Sequence, residues 1–165
     1  MIQLKRQQVK AMLDIISKDN ARPAIENAKV VKYEDKLYLT GTDGYVLFML
    51  EIENESLQGR AIHRSHIEKW YKLATGNDYL TEEVLDDMPY TDDTFPDIEN
   101  IVKNAMVGGE TDMIGFNADY AKKVQVLFGV DGLTLKLNGK LGAMVFEQKG
   151  QDTNKGYGII MPLKV

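Results

Sequence analysis

The sequence predicts an α+β fold of repeated β-α-β-β-β units, with helices on one face of antiparallel sheets. Three observations predict it. Near each end of the chain, one segment of helical period is followed by three of strand period. Turn signals rich in Gly, Asp and Asn separate those strands, as short antiparallel connections require. The middle follows neither pattern, which divides a single domain, 1–165, into unit one (1–53), a middle helix with an acidic insertion (54–109) and a last unit (110–165).

In unit one, Met1 to Leu4 reads as a short strand. Arg6 to Lys18 reads as a helix, because Val9, Met12, Leu13 and Ile16 recur at i, i+3, i+4 and i+7. Asp19-Asn20 and Pro23 stop it. Strands follow from Ala28 to Glu53: "AKVVKY", an "EDK" turn, "LYLTG", a "TDG" turn and "YVLFMLEIE". The middle offers a strand in "GRAIHR" and a helix in "SHIEKWYKLA", with Ser65 as cap and Ile67, Trp70, Tyr71 and Ala74 facing inward. The acidic stretch beyond it, which holds Pro89 and Pro96, reads as a loop or loosely ordered insertion.

The last unit repeats the order. "TDMIGF", Thr111 to Phe116, reads as a strand, and Asn117 caps a helix over "ADYAKKVQVLF" with Tyr120, Val124 and Leu127 or Phe128 as its apolar stripe. Gly129 and a "VDG" turn end it. "LTLKL" alternates, "NGK" signals a two-strand turn, and "LGAMVFEQ" returns. A polar loop, "KGQDTNKG", leads to "YGIIMPLKV". Architecture repeats here without obvious repetition of sequence.

Composition narrows the function. Hydrophobic residues are 44% and charged residues 27%, as in an ordinary globular chain. The absence of cysteine excludes disulfides and thiolate metal sites. No apolar run reaches the ~20 residues of a membrane span, and "MIQLKRQQVK" lacks the apolar core of a secretory signal. The expectation is a cytoplasmic protein without a membrane partner.

The net charge of -5 is unevenly spread. Asp78, Glu82, Glu83, Asp86, Asp87, Asp92, Asp93, Asp97 and Glu99 form a run that no Lys or Arg interrupts. The rest of the chain sets 20 basic residues against the remaining 16 acids, a net of +4. A basic surface is compatible with an acidic whole.

No catalytic constellation assembles. His63 and His66 have the spacing of a metal pair but lack a third ligand, and read as surface residues at a helix start. The acids do not match a calcium loop. No phosphate loop and no G-x-S-x-G element is present. The expectation is a non-enzymatic protein without metal or cofactor. The helices carry the stronger signal. Lys5, Arg6, Lys10 and Lys18 lie away from the first apolar stripe, Arg64, Lys69 and Lys72 belong to the second helix, and Lys122 and Lys123 to the third. Helices lining one surface would give a sequence-independent phosphate contact. Without interleaved aromatics, duplex DNA is favoured over single strands.

Four segments, in order, resemble the bacterial DNA polymerase III β subunit, the sliding-clamp family. "TDGYVL", Thr42 to Leu47, is similar to its T-D-G-H-R-L motif, with Tyr45-Val46 where the family has His-Arg. "FPDIENI", Phe95 to Ile101, resembles its F-P-D-Y segment, "MIGFNADYAKKVQVLFG" its I-G-F-N helix unit, and "IMPLKV", Ile160 to Val165, its V-M-P-M-R-L-like tail. The resemblance implies the processivity (DNA clamp) fold, reduced to about one domain, with helices lining a ring's inner face. It implies a groove for partner peptides, walled by Thr42, Gly44, Tyr45 and Leu47 on one side and Ile160, Met161, Pro162 and Leu163 on the other. The implied function is that of a sliding-clamp-like processivity factor that tethers a polymerase or other replication protein on duplex DNA, in a possible homo-oligomeric ring. The alternative is a monomeric clamp-fold adaptor or inhibitor of the replication machinery that never encircles DNA. A third reading makes the acids metal ligands of an enzyme.

Overall fold

The computed structural model describes residues 1–19, 21–111, 114–148 and 154–163. Strand β1 (Gln3–Lys5) runs directly into helix α1 (Arg6–Ile15), and pairs with β6 (Tyr79–Thr81) as a two-stranded sheet. The principal sheet has seven strands, all antiparallel to their neighbours, in the order β5-β2-β3-β4-β9-β8-β7. In it, β2 (Asn27–Tyr33), β3 (Lys36–Thr42) and β4 (Val46–Ile52) come from the first unit, and β7 (Leu133–Lys136), β8 (Met144–Gln148) and β9 (Gly156–Ile160) from the last. Strand β5 (Ala61–His63) adds to β2 at one edge. The β4–β9 pairing, Val46 with Ile160 through Leu50 with Gly156, joins the two units.

Strand parity explains the unbroken apolar run of β4. Val46, Phe48, Leu50 and Ile52 face a core beneath α1, α2 (Arg64–Leu73) and α5 (Ala118–Phe128). Leu47 and Met49 face the opposite side, where Ile98, Val102 and Ala105 of α4 (Ile98–Met106) cover them. A strand buried on both faces has no polar alternation to display. Two glycines let the helices sit close: a Cβ on Gly41 would lie 2.8 Å from Ile16, and one on Gly158 only 2.5 Å from Val124. Buried Gln8 ties α1 to α5, accepting from the Lys5 amide (2.9 Å) and donating to the Leu127 carbonyl (2.9 Å). Asn117 caps α5 through the Asp119 amide, and Gly129 ends it in the left-handed conformation.

Four expectations change. The acidic stretch is ordered around β6, α3 (Glu82–Asp86) and the start of α4. Its apolar anchors, Leu80, Leu85 and Ile98, are spaced among acids that hide their pattern. Glu82 is itself buried, because its carboxylate accepts from the amides of Ile2 (2.8 Å), Glu53 (3.0 Å) and Asn54 (2.7 Å). Helix α2 is capped by His63 and not by Ser65, since the Arg64 amide already bonds the Glu26 carbonyl and the helix starts there. The "NGK" segment is a wide connection from Lys136 to Met144, drawn aside as the Asn138 side-chain Nδ2 donates to the Asn104 carbonyl (2.7 Å). In "TDMIGF", Asp112 and Met113 lie outside the described residues, and Gly115 makes a single bridge to Leu163 in place of a strand. Residues 149–153 of the polar loop and Lys164 and Val165 of the tail also lie outside the described residues.

Candidate partner groove and nucleic-acid interface

The T-D-G turn is built by its own polar atoms. The Thr42 hydroxyl donates to the Val46 carbonyl (2.7 Å) and accepts from the Gly44 amide (2.9 Å). The Asp43 carboxylate accepts from the amides of Tyr45 (2.8 Å) and Val46 (3.0 Å). Gly44 takes a φ of +96°, which favours glycine. What remains is Tyr45, held outward and 61% exposed. The chain beyond β9 runs alongside, the Met161 amide donating to the Tyr45 carbonyl (2.9 Å), and Met161 is 47% exposed.

Between them opens an apolar groove of about 700 Å³. Leu47 and Ile159, both on the α4 side of the sheet, line it together with Arg22, Pro23, Ala24 and Ile25 from the first unit and Asp93, Thr94, Pro96 and Ile101 from the segment that leads into and through α4. Of the eight residues expected there, Thr42, Gly44, Tyr45, Leu47 and Met161 line it. Ile160 does not: parity turns it to the helix side, where it is fully buried in the core, and Ile159 takes its place. Nor do Pro162 and Leu163, because the chain turns away at the proline and the Leu163 amide bonds the Gly115 carbonyl (2.8 Å). Behind the turn stands Tyr120 of α5. Burial, followed by the adjacent Asp43 carboxylate, pushes its phenol up to about 12.

Helices α1, α2 and α5 pack side by side on the other face of the sheet. Lys10, Lys69, Lys72 and Lys122 are exposed on them, and Lys5 is exposed just ahead of α1. Arg6 lies over the Tyr71 ring (4.4 Å to its centre) and donates to the Tyr71 carbonyl. Lys123 lies over the Tyr120 ring and points its ammonium at the Asp14 carbonyl (3.4 Å). Arg64 is a correction: its side chain is only 11% exposed and clamps α2 to α1, bonding the Leu13 carbonyl (3.2 Å) and Glu68 (3.1 Å). Such an arginine is a structural brace, not a free phosphate ligand. His63 bonds Ser65 and Glu26, and among the described residues no three metal-ligating side chains gather.

No protein-family model and no curated protein matches the sequence. The backbone does find relatives. Ninety-nine per cent of the chain superposes on DNA polymerase III subunit β from Borrelia burgdorferi, solved in complex with a natural product (11% identity, TM-score 0.63, 64% of that chain). The same share superposes on the Pseudomonas aeruginosa sliding clamp bound to griselimycin (13%, 0.62, 65% of that chain) and on the Bacillus subtilis clamp (11%, 0.63, 64% of that chain). The chain has the sliding-clamp fold. It spans less than two thirds of the length of these clamp subunits.

Within this clamp fold, half of the groove was invisible to motif reading. Arg22 to Ile25 form a short 3-10 turn (Pro23–Ile25) whose only signal was Pro23, read as a helix stop. Asp93 and Thr94 belong to a stretch that reads by its charge, and Ile101 ends the "FPDIENI" segment, which reads as a resemblance and not as a groove wall. A signal did exist for them: Asp97, followed by Ile98, Ile101, Val102 and Ala105, has the cap and spacing of a helix.

Proposed function

We propose that the chain is a sliding-clamp-like processivity factor. It contacts duplex DNA through α1, α2 and α5 and tethers replication proteins by a short peptide held in the groove. The observation that carries this is the groove itself. Tyr45 and Met161, from segments far apart in sequence, flank one apolar channel on the face of the sheet opposite the basic helices. A clamp needs that division, with cargo on one side and DNA on the other. The peptide would lie extended, with apolar side chains against Leu47, Ile159 and Met161, whose thioether adapts to different shapes. The lysines would meet phosphates without reading bases.

Calorimetric titration with short extended peptides bearing Leu and Phe tests the groove. Met161→Asp should weaken binding roughly 30-fold, as loss of an interface hot spot does, with the thermal midpoint unchanged because Met161 is half exposed. Unaltered affinity would sink the assignment. Light scattering across a concentration series tests the ring: a concentration-independent oligomer is expected, and a persistent monomer would remove encirclement from the proposal.

A further inference from the structure

One carboxylate on the basic face stands where helix energetics would not put it. Asp14 lies in the last turn of α1, where a negative charge opposes the helix dipole. Its strongest ion pair, with Lys10 (2.7 Å), has the lysine N-terminal to the acid, the less favourable order at i, i+4. Lys18 approaches its other oxygen (3.9 Å), and Lys123 reaches across from α5 to its backbone carbonyl (3.4 Å). Asp14, Lys10 and Lys123 line a depression of about 350 Å³ between α1 and α5, together with Lys122 and a second carboxylate, Asp119. Three ammonium groups therefore converge on one residue, from α1, from the chain just beyond it and from α5, and the Asp14 hydrogen bond shifts the Lys10 ammonium further toward its protonated form.

We propose that Asp14 is an internal phosphate surrogate that limits the grip of this face on DNA; the inference rests on the DNA reading above. Without DNA, the carboxylate keeps Lys10 and Lys18 gathered beside it at the end of α1. When a duplex arrives, phosphate oxygens displace it. The lysine side chains are 59% and 65% exposed, so these pairs are weak and exchange readily. The displaced carboxylate then remains beside the incoming phosphates and repels them. The result is contact that is loose enough to move along the duplex. Asp14 is a positioning residue, acting through the lysines.

The test is fluorescence anisotropy with a labelled 30-base-pair duplex, titrated in 50 to 200 mM KCl. Asp14→Asn should bind about fivefold tighter at the lowest salt and steepen the log–log salt slope by up to about 1.8, the value for two extra phosphate contacts. Its thermal midpoint should hold or rise. Lys10→Gln in the Asp14→Asn background should cancel about half of the added slope. Asp35→Asn makes the same charge change at the exposed β2–β3 turn, where Asp35 has a φ of +63° that asparagine accepts; it should change the slope little. Equal gains from Asp35→Asn and Asp14→Asn would reduce the effect to net charge and overturn the inference. So would an unchanged slope in Asp14→Asn while the wild type binds. If neither protein binds the duplex, the DNA reading falls first and the surrogate with it.

Discussion

The Thr42 hydroxyl and one Asp43 carboxylate oxygen bond backbone partners, and this is why the T-D-G motif is legible without being chemical. The motif fixes the direction of Tyr45. Gly44→Ala should therefore cost about 1–2 kcal/mol through its positive φ and press on Arg22, 3.0 Å from the added carbon; denaturant unfolding measures the loss. Tyr120 offers a pH test. Its phenol is raised from 10 to about 12 by folding, so the stability it contributes is complete below pH 10 and disappears between pH 10 and 12. Spectrophotometric titration should show a late-ionising tyrosine that Tyr120→Phe removes, and the variant should lose less stability across that window. Residue identity was easier to read than residue direction. Ile160 was misjudged by one step of strand parity, which no motif reports and which only pairing with Val46 and Met144 fixes. Arg64 was misjudged because a lysine-rich helix hides which cation is braced against its neighbour.

Among the elements, α1 and α5 were legible because their apolar stripes recur at helical spacing and their ends carry ordinary stop signals. Helix α4 was not, since its first turn closes a run of acids and its apolar residues face a sheet surface that the α+β reading left open. That surface is apolar only because α4 covers it. The helix also supplies Ile101 to the groove, so groove and outer core are mechanically one object. Val102→Ala should destabilise the fold by roughly 2 kcal/mol through the cavity it leaves. It should also weaken peptide binding, although Val102 does not line the groove. A variant that lost stability but kept full peptide affinity would show that α4 is no part of the groove's support.

For the molecule as a whole, the sequence signalled the order of elements but not how the two units meet. Each unit gives the principal sheet three strands and packs a helix on it; their union is a continuous sheet, made by β4 and β9. Nothing in a strand's composition names its neighbour, and both strands were read correctly as strands. Charge behaved in the same way: the acidic run and the basic remainder were countable, but the sides on which they fall depended on the packing of α1, α2 and α5. The β4–β9 seam has a kinetic consequence. It pairs residues 46–50 with 156–160, across more than a hundred intervening positions, and such distant pairings are slow to close. The groove straddles that seam, with Leu47 from one strand and Ile159 from the other. During synthesis, then, the first four strands emerge with half a groove and nothing to hold against it. On the proposed reading of the groove, a partner peptide would be captured only after the 156–161 segment has left the ribosome and paired with β4, so binding would report that the β4–β9 seam has closed.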